Sequence, residues 1–214
     1  MRSVRLFFKK TGDMKFVSHL DLNRFMIRMI RKTDIPVWYS EGFNPHPYIT
    51  FALPLSLGFE SQYEVMDLRL DDDNFKNEDV LKELAEKMPL GIEFFEVSNP
   101  IMKAGEVAFA SFDIDFGEDF SKISENLSAF LSNEHIFSEK KTKKGSIKIL
   151  DLKEFIKDYK LTDNKLTLTL SAGGSENLNP KLILDEFSRA INDKLPPSLI
   201  TRTMLYNIKM ERFA

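Results

Sequence analysis

The sequence predicts an α+β fold of two tandem ferredoxin-like (βαββαβ) domains, residues 1–100 and 105–214. Three observations predict it. Hydrophobic periodicity runs in the order strand, helix, strand, strand, helix, strand, which suits an antiparallel sheet covered on one face by two helices. The same order recurs after a connector, Asn99 to Gly105. The 214 residues also suit two units of about 100.

The elements follow in order. Val4, Leu6 and Phe8 alternate with Arg5 and Phe7, which is a strand. Ser18 is an N-cap, with Asp21 completing a capping-box-like pair. The helix it opens carries Leu22, Phe25, Met26, Met29 and Ile30 as an apolar stripe that needs a sheet to bury it. Arg24, Arg28 and Arg31 share the opposite face. Ile35-Pro36 marks its end, because the residue before proline avoids the α region. Val37 to Tyr39 reads as a short strand, and Ser40 to Pro47 as irregular, with two prolines and a glycine. Tyr48 to Leu55 and Tyr63 to Leu70 are strands, Asn77 to Met88 a helix, and Ile92 to Val97 a strand.

In the second unit Val107 to Phe116 alternates as a strand, and Phe120, Ile123, Leu127, Phe130 and Leu131 mark a helix. His135 to Ser138 is a short strand, followed by the basic segment Lys140 to Gly145 and an insertion, Ile147 to Ile156. Lys157 to Leu161 and Lys165 to Leu170 flank an Asp163-Asn164 turn as a hairpin. Asn179-Pro180 places an N-cap and an N1 proline before a helix carrying Leu182, Ile183, Phe187 and Ile191. Leu199 to Lys209 is the closing strand.

Net charge is −3, but it is unevenly spread: +4 over residues 1–60, −12 over 61–135 and +5 over 136–214. That pattern permits a local anionic partner and argues against a uniformly sticky surface. With no cysteine, disulfides, thiolate zinc sites, cysteine nucleophiles and cysteine-held iron–sulfur clusters are excluded. Apolar runs fall far short of the ~18 residues of a membrane span, and the first ten residues alternate as a strand instead of forming a signal peptide. The expected location is cytoplasmic.

Polar and special residues crowd between Ser18 and Glu64. His19 lies in a first helical turn, where the dipole favours an anion; a histidine hydrogen-bonded at a helix start is the plainer reading. His46 is locked between Pro45 and Pro47, which presents its imidazole from a stiff loop. The arginine stripe, an ordinary solvated face in many proteins, here adjoins Trp38, Tyr39, Phe43 and Tyr48. Cations for phosphates with aromatic faces for unstacked bases are what single-stranded RNA recognition uses. The lysines of 140–144 add a basic loop, a weak signal alone. His19, Asp21, Glu41, His46, Glu64 and Asp67 show no close ligand spacing, so no metal and no cofactor is expected. Gly173-Gly174 reads as a turn, being neither a P-loop nor a dinucleotide fingerprint.

Phe16 to Arg24 with its Ser-His-Leu-Asp core, Arg28, Arg31, Ile35-Pro36, the YSEGFNPHP run Tyr39 to Pro47, Phe51 to Gly58, Ser61 and Glu64 resemble the uncharacterised bacterial radical SAM-linked proteins. Thr201 to Leu205 is similar to that family's ending. Members are encoded beside or fused to a radical SAM protein with a cobalamin-binding-type region, so the resemblance implies that partner. A cysteine-free chain cannot itself be the radical SAM enzyme. A weaker similarity is to CRISPR repeat-processing endoribonucleases, whose glycine-rich C-terminal loop Gly173-Gly174 does not match.

The resulting expectation is a non-catalytic accessory subunit that presents tRNA or rRNA for modification. Arg24, Arg28 and Arg31 would grip phosphates, Tyr39 and Phe43 would stack bases, and Asn44 and His46 would position a nucleotide. One alternative is a metal-independent endoribonuclease with His19 and His46 as general base and acid, a role that suits imidazole in general. Another is a protein-interaction module that docks through the acidic middle.

Overall fold

The computed structural model describes residues 1–141, 147–162, 164–174 and 176–214. Residues 142–145 of the expected basic segment, and Asp163 of the expected turn, lie outside the described residues. The first half runs β1 (Arg2–Lys10), α1 (His19–Ile30), β2 (Ile49–Phe51), β3 (Glu60–Leu70), α2 (Asn77–Lys87) and β4 (Ile92–Ser98). The second runs β5 (Phe109–Asp115), α3 (Ser124–Ser132), β6 (Phe137–Lys141), β7 (Ile147–Asp151), β8 (Ile156–Leu161), β9 (Lys165–Ser171), α4 (Pro180–Ile191) and β10 (Leu199–Tyr206).

Local chemistry explains most of these boundaries. Ser18 caps α1 by accepting from the Asp21 amide at 3.2 Å, while its hydroxyl donates to the Asp21 carboxylate at 2.7 Å. Asn179 caps α4 with Pro180 in the first turn. The strand expected over Tyr48 to Leu55 shrinks to three residues, because Pro54 offers no N–H and Leu53 and Leu55 turn into the core. Val37 and Tyr39 make only isolated bridges, to Leu70 and Pro47. The last strand stops at Tyr206, where Asn207 to Met210 turn the chain with Met210 at φ 62°. β6 and β7 form a two-stranded sheet of their own.

The α+β class expected from the sequence holds. Separate sheets for two tandem ferredoxin-like domains are not evident: one mixed eight-stranded sheet runs through both halves, in the order β4-β1-β3-β10-β5-β9-β8 with β2 beside β3. The reason is the shortness of β2. It covers β3 only at Met66 to Leu68 and leaves the backbone groups near Glu60 and Ser61 open on that edge. β10 takes them up in parallel, pairing Thr201 with Glu60 and Arg202 with Ser61.

Helices cover one face. Val4, Leu6 and Phe8 of β1 and Met66, Leu68 and Leu70 of β3 pack under Leu22, Met26 and Ile30 of α1 and Val80 and Leu84 of α2. Burying each such side chain contributes about 1.5–3 kcal/mol. In the second half Ala110, Phe112 and Ile114 meet Leu127, Leu131, Ile183 and Phe187. Arg202, directly across from Phe112, bonds Glu64, which lies across from Phe8, so all four helices sit on the same side. On the other face the segment Asn207 to Ala214 folds back over the first half. Phe213 is buried there, under the Arg5 guanidinium at 4.5 Å. Arg5 donates to Ala214 O at 2.8 Å and to both Asp67 carboxylate oxygens, at 2.7 and 2.8 Å. Tyr63 donates to Phe213 O at 2.7 Å.

The join between the halves is ionic. Arg202 and Glu64 are both buried; the guanidinium bonds Glu64 through Nε at 3.1 Å and again through Nη2, and reaches Leu53 O at 3.0 Å and Pro54 O at 3.3 Å. Arg202→Met should cost about 3–5 kcal/mol, because Glu64 is then a buried charge without its partner. The double variant Glu64→Leu/Arg202→Met should recover a large part of that loss. Urea unfolding of the three proteins checks this, and equal losses for single and double variants would refute the pairing argument.

Candidate functional site

α1 presents its arginines as the 3.6-residue period requires. Arg24 is exposed and meets Asp21 at 3.4 Å, and Arg28 is exposed one turn on. Arg31, at the helix C-cap, donates through Nη2 to Pro45 O at 2.6 Å. That bond ties the helix end to the irregular loop. The loop is closed by its own residues: the Ser40 amide donates to His46 O at 2.9 Å, the His46 amide to Ser40 Oγ at 3.3 Å, and Ser40 Oγ and His46 Nδ1 share a 2.5 Å hydrogen bond. Gly42 takes φ 120°, a region that side chains avoid.

Phe43 at the tip is fully exposed, Asn44 and His46 are exposed beside it, and Tyr39 is exposed at the base. Six of the sequence-predicted contact residues therefore line one tethered loop and the adjoining helix end: Arg28, Arg31, Tyr39, Phe43, Asn44 and His46. Trp38 and Tyr48 stand apart from the tip, edge to face at 5.8 Å with the Arg69 guanidinium over both rings.

His19 belongs elsewhere. It opens α1, whereas His46 is tied to the loop at its far end, and twelve helical residues rise about 18 Å. The structure does not bring the two imidazoles together as an acid–base pair. His19 lies edge-on to Phe51 at 5.0 Å, within electrostatic reach of Lys10, Glu64 and Arg202. Burial lowers its pKa below the ordinary 6.5, opposed by Glu64 and reinforced by Arg202 and Lys10. At neutral pH His19 is thus a neutral imidazole, able to accept a hydrogen bond or a proton.

Lys10 is 1% exposed. Burial lowers its pKa as well, against the attraction of Glu64 and Glu60. Lys10, Ser61 and Arg202 sit side by side across β1, β3 and β10. Of this polar seam the sequence had singled out His19 and Glu64, and it missed Lys10 and the role of Arg202. A signal was present. Lys10 continues the inward phase of Val4, Leu6 and Phe8, and Glu64 that of Met66, Leu68 and Leu70, so charges stand where alternation calls for apolar residues.

Among the described residues no group of three or more His, Asp or Glu side chains is arranged to hold a metal ion. Asp67, one of the acids considered for such a role, is held by Arg5. No helix is long and apolar enough to cross a membrane among the described residues.

The model of a family described as "Uncharacterized protein conserved in bacteria (DUF2344)" matches residues 3–180. No curated protein matches the chain.

Two histidines should titrate in opposite directions. His135, hydrogen-bonded to Asp151 at 2.6 Å, is raised above 6.5 by that bond, while His19 is lowered by burial. The unfolded chain binds the His19 proton more tightly than the folded one. Its contribution to stability is therefore present above pH 6.5 and is lost as pH falls through the lowered folded value. NMR titration of the imidazole signals and urea unfolding across pH 4–7 check this, and His19→Gln should reduce the acid sensitivity. A His19 midpoint at or above 6.5 would overturn its placement.

Proposed function

The chain belongs to the uncharacterized bacterial family DUF2344, and on that premise we propose that it is a non-catalytic accessory subunit that binds tRNA or rRNA for modification by a radical SAM partner. The partner is a radical SAM protein with a cobalamin-binding-type region, a reading that rests on the motif resemblance alone. These cysteine-free residues fit that division of labour, in which the partner would hold the cluster.

One observation carries the RNA reading. The Arg31 bond to Pro45 O joins the arginine face of α1 to a loop whose aromatic tip is fully exposed, so cations and a stacking ring share one surface. Phosphates would lie along Arg24, Arg28 and Arg31, with bases against Phe43 and Tyr39. Asn44 and His46 would read a nucleotide edge. The excess positive charge of the first 60 residues favours the same partner.

We also read each half as a ferredoxin-like unit, residues 1–100 and 105–214. β4-β1-β3-β2 and β10-β5-β9-β8 share one antiparallel order, with the first and third of each half's strands in the large sheet at the centre.

Arg24→Ala/Arg28→Ala/Arg31→Ala should weaken binding of labelled tRNA and flatten the slope of log K against log salt by about 2, at roughly 0.7 per lost single-strand phosphate contact. Phe43→Ala should cost about 1–3 kcal/mol of binding, the usual worth of one stacked base. Fluorescence anisotropy over a salt series measures both. Wild-type affinity and slope in the triple variant would make the stripe a solvated face and sink the proposal.

A further inference from the structure

The helix-free side of the sheet holds a second aromatic surface. Phe7 of β1, Tyr63 of β3 and Phe95 of β4 cluster there, with ring centroids 5.4 to 6.3 Å apart. Arg212 lies over two of the rings, 5.1 Å from Phe7 and 5.2 Å from Tyr63. The folded-back Asn207 to Ala214 segment buries Phe7 and Tyr63, whereas Phe95 stays partly open. Beside it lies a cleft of about 350 Å³, lined among others by Gln62, Phe95, Thr203, Met204 and Arg212. It sits where β3 and β10 carry the sheet from one half to the other.

The chemistry of the lining selects an occupant. Phe95 and Met204 offer a ring face and a polarisable thioether, suited to a flat partner. Gln62 is exposed and carries both amide donors and a carbonyl acceptor, so it can pair with a heteroaromatic edge. The cations at the rim are already neutralised, Lys9 by Glu93 at 3.0 Å and Arg212 by Glu96. A free anion would find no uncompensated charge there, and an uncharged ring would lose nothing. The volume also exceeds the roughly 300 Å³ at which ligand pockets begin.

We propose that this cleft receives an unstacked nucleobase of single-stranded RNA, held flat against Phe95 and read along its edge by Gln62. The inference rests on the RNA reading for the polymer that carries the base. It does not rest on it for the base itself.

Isotope-labelled full-length protein, titrated with each of the four nucleosides and then with octauridylate and octaadenylate, tests both levels. At least one nucleoside should shift the Gln62 side-chain amide signals saturably. Phe95→Ala should weaken that binding about fivefold or more, Gln62→Ala should change which nucleoside is preferred, and the triple arginine variant should leave nucleoside binding unaltered. Gln62 is exposed, so its variant keeps the question open to test if Phe95→Ala folds poorly. Absence of cleft shifts with every nucleoside and both oligonucleotides overturns the inference. If tRNA binding depends on the α1 arginines but not on Phe95 or Gln62, the cleft fails and the RNA reading stands. If nucleosides occupy the cleft while no RNA binds, the RNA reading fails and the base site stands.

Discussion

A charge removed from water must be compensated in place, and in this protein that requirement falls where the sheet changes hands. β3 has β2 along one end of its edge and β10 along the other. Arg202, arriving on β10, meets Glu64 on β3 and the carbonyls of Leu53 and Pro54 on the chain leaving β2. Two neighbouring segments and a third, 138 residues on from Glu64, are held by one planar cation whose donors point in fixed directions. A hydrophobic contact at the same place would tolerate a shifted register. A guanidinium with four committed bonds does not, and the parallel pairing of two residues on each strand is short enough to need that definition.

The consequence for function is a division of labour between the two ends of α1. At its start, partial burial keeps His19 neutral against the pull of Glu64. At its end, solvent surrounds arginines and a loop held by a serine–histidine clasp. The first environment is half-buried and electrostatically tuned; the second is open and cationic. They belong to one helix, so whatever moves its axis alters both, but the contacts made at each end are of different kinds. The reverse face of the sheet is different again, aromatic and charge-balanced.

Much of this was legible in the sequence because the signals were local. Ser18 and Asp21 mark a helix start within four residues, Asn179-Pro180 marks another, and alternation in Val4, Leu6 and Phe8 needs no knowledge of the partner strand. The loop from Ser40 to Pro47 declared itself through proline and glycine. What escaped were contacts made at a distance. Nothing near Thr201 and Arg202 announces that they bond to Glu60 and Ser61, so the sheet read as two. Nothing near Tyr48 to Leu55 shows that the Leu53 and Pro54 carbonyls become acceptors for an arginine about 150 residues away. Lys10, at the end of the first strand, drew no notice, although its phase with Phe8 pointed inward. His19 and His46 shared a motif-rich stretch, but closeness along a chain that passes down a twelve-residue helix is not closeness in space.

The folded-back segment over Arg5 has a temporal meaning. Arg5 is made before the groups that shield it, the Phe213 ring and the Ala214 carbonyl, which lie more than 200 positions later. During synthesis the first four strands can pair and their helices can dock, but the aromatic side of that sheet stays wet until translation has passed residue 213. The early half is then a half-finished layer with Phe7 and Tyr63 uncovered, a surface on which chaperones act and at which premature association begins. Contacts between segments more than 200 positions apart also slow that step, since distant segments must find each other before anything rewards the search. Burial of the aromatic side of β1 thus waits on a segment made more than 200 residues after it.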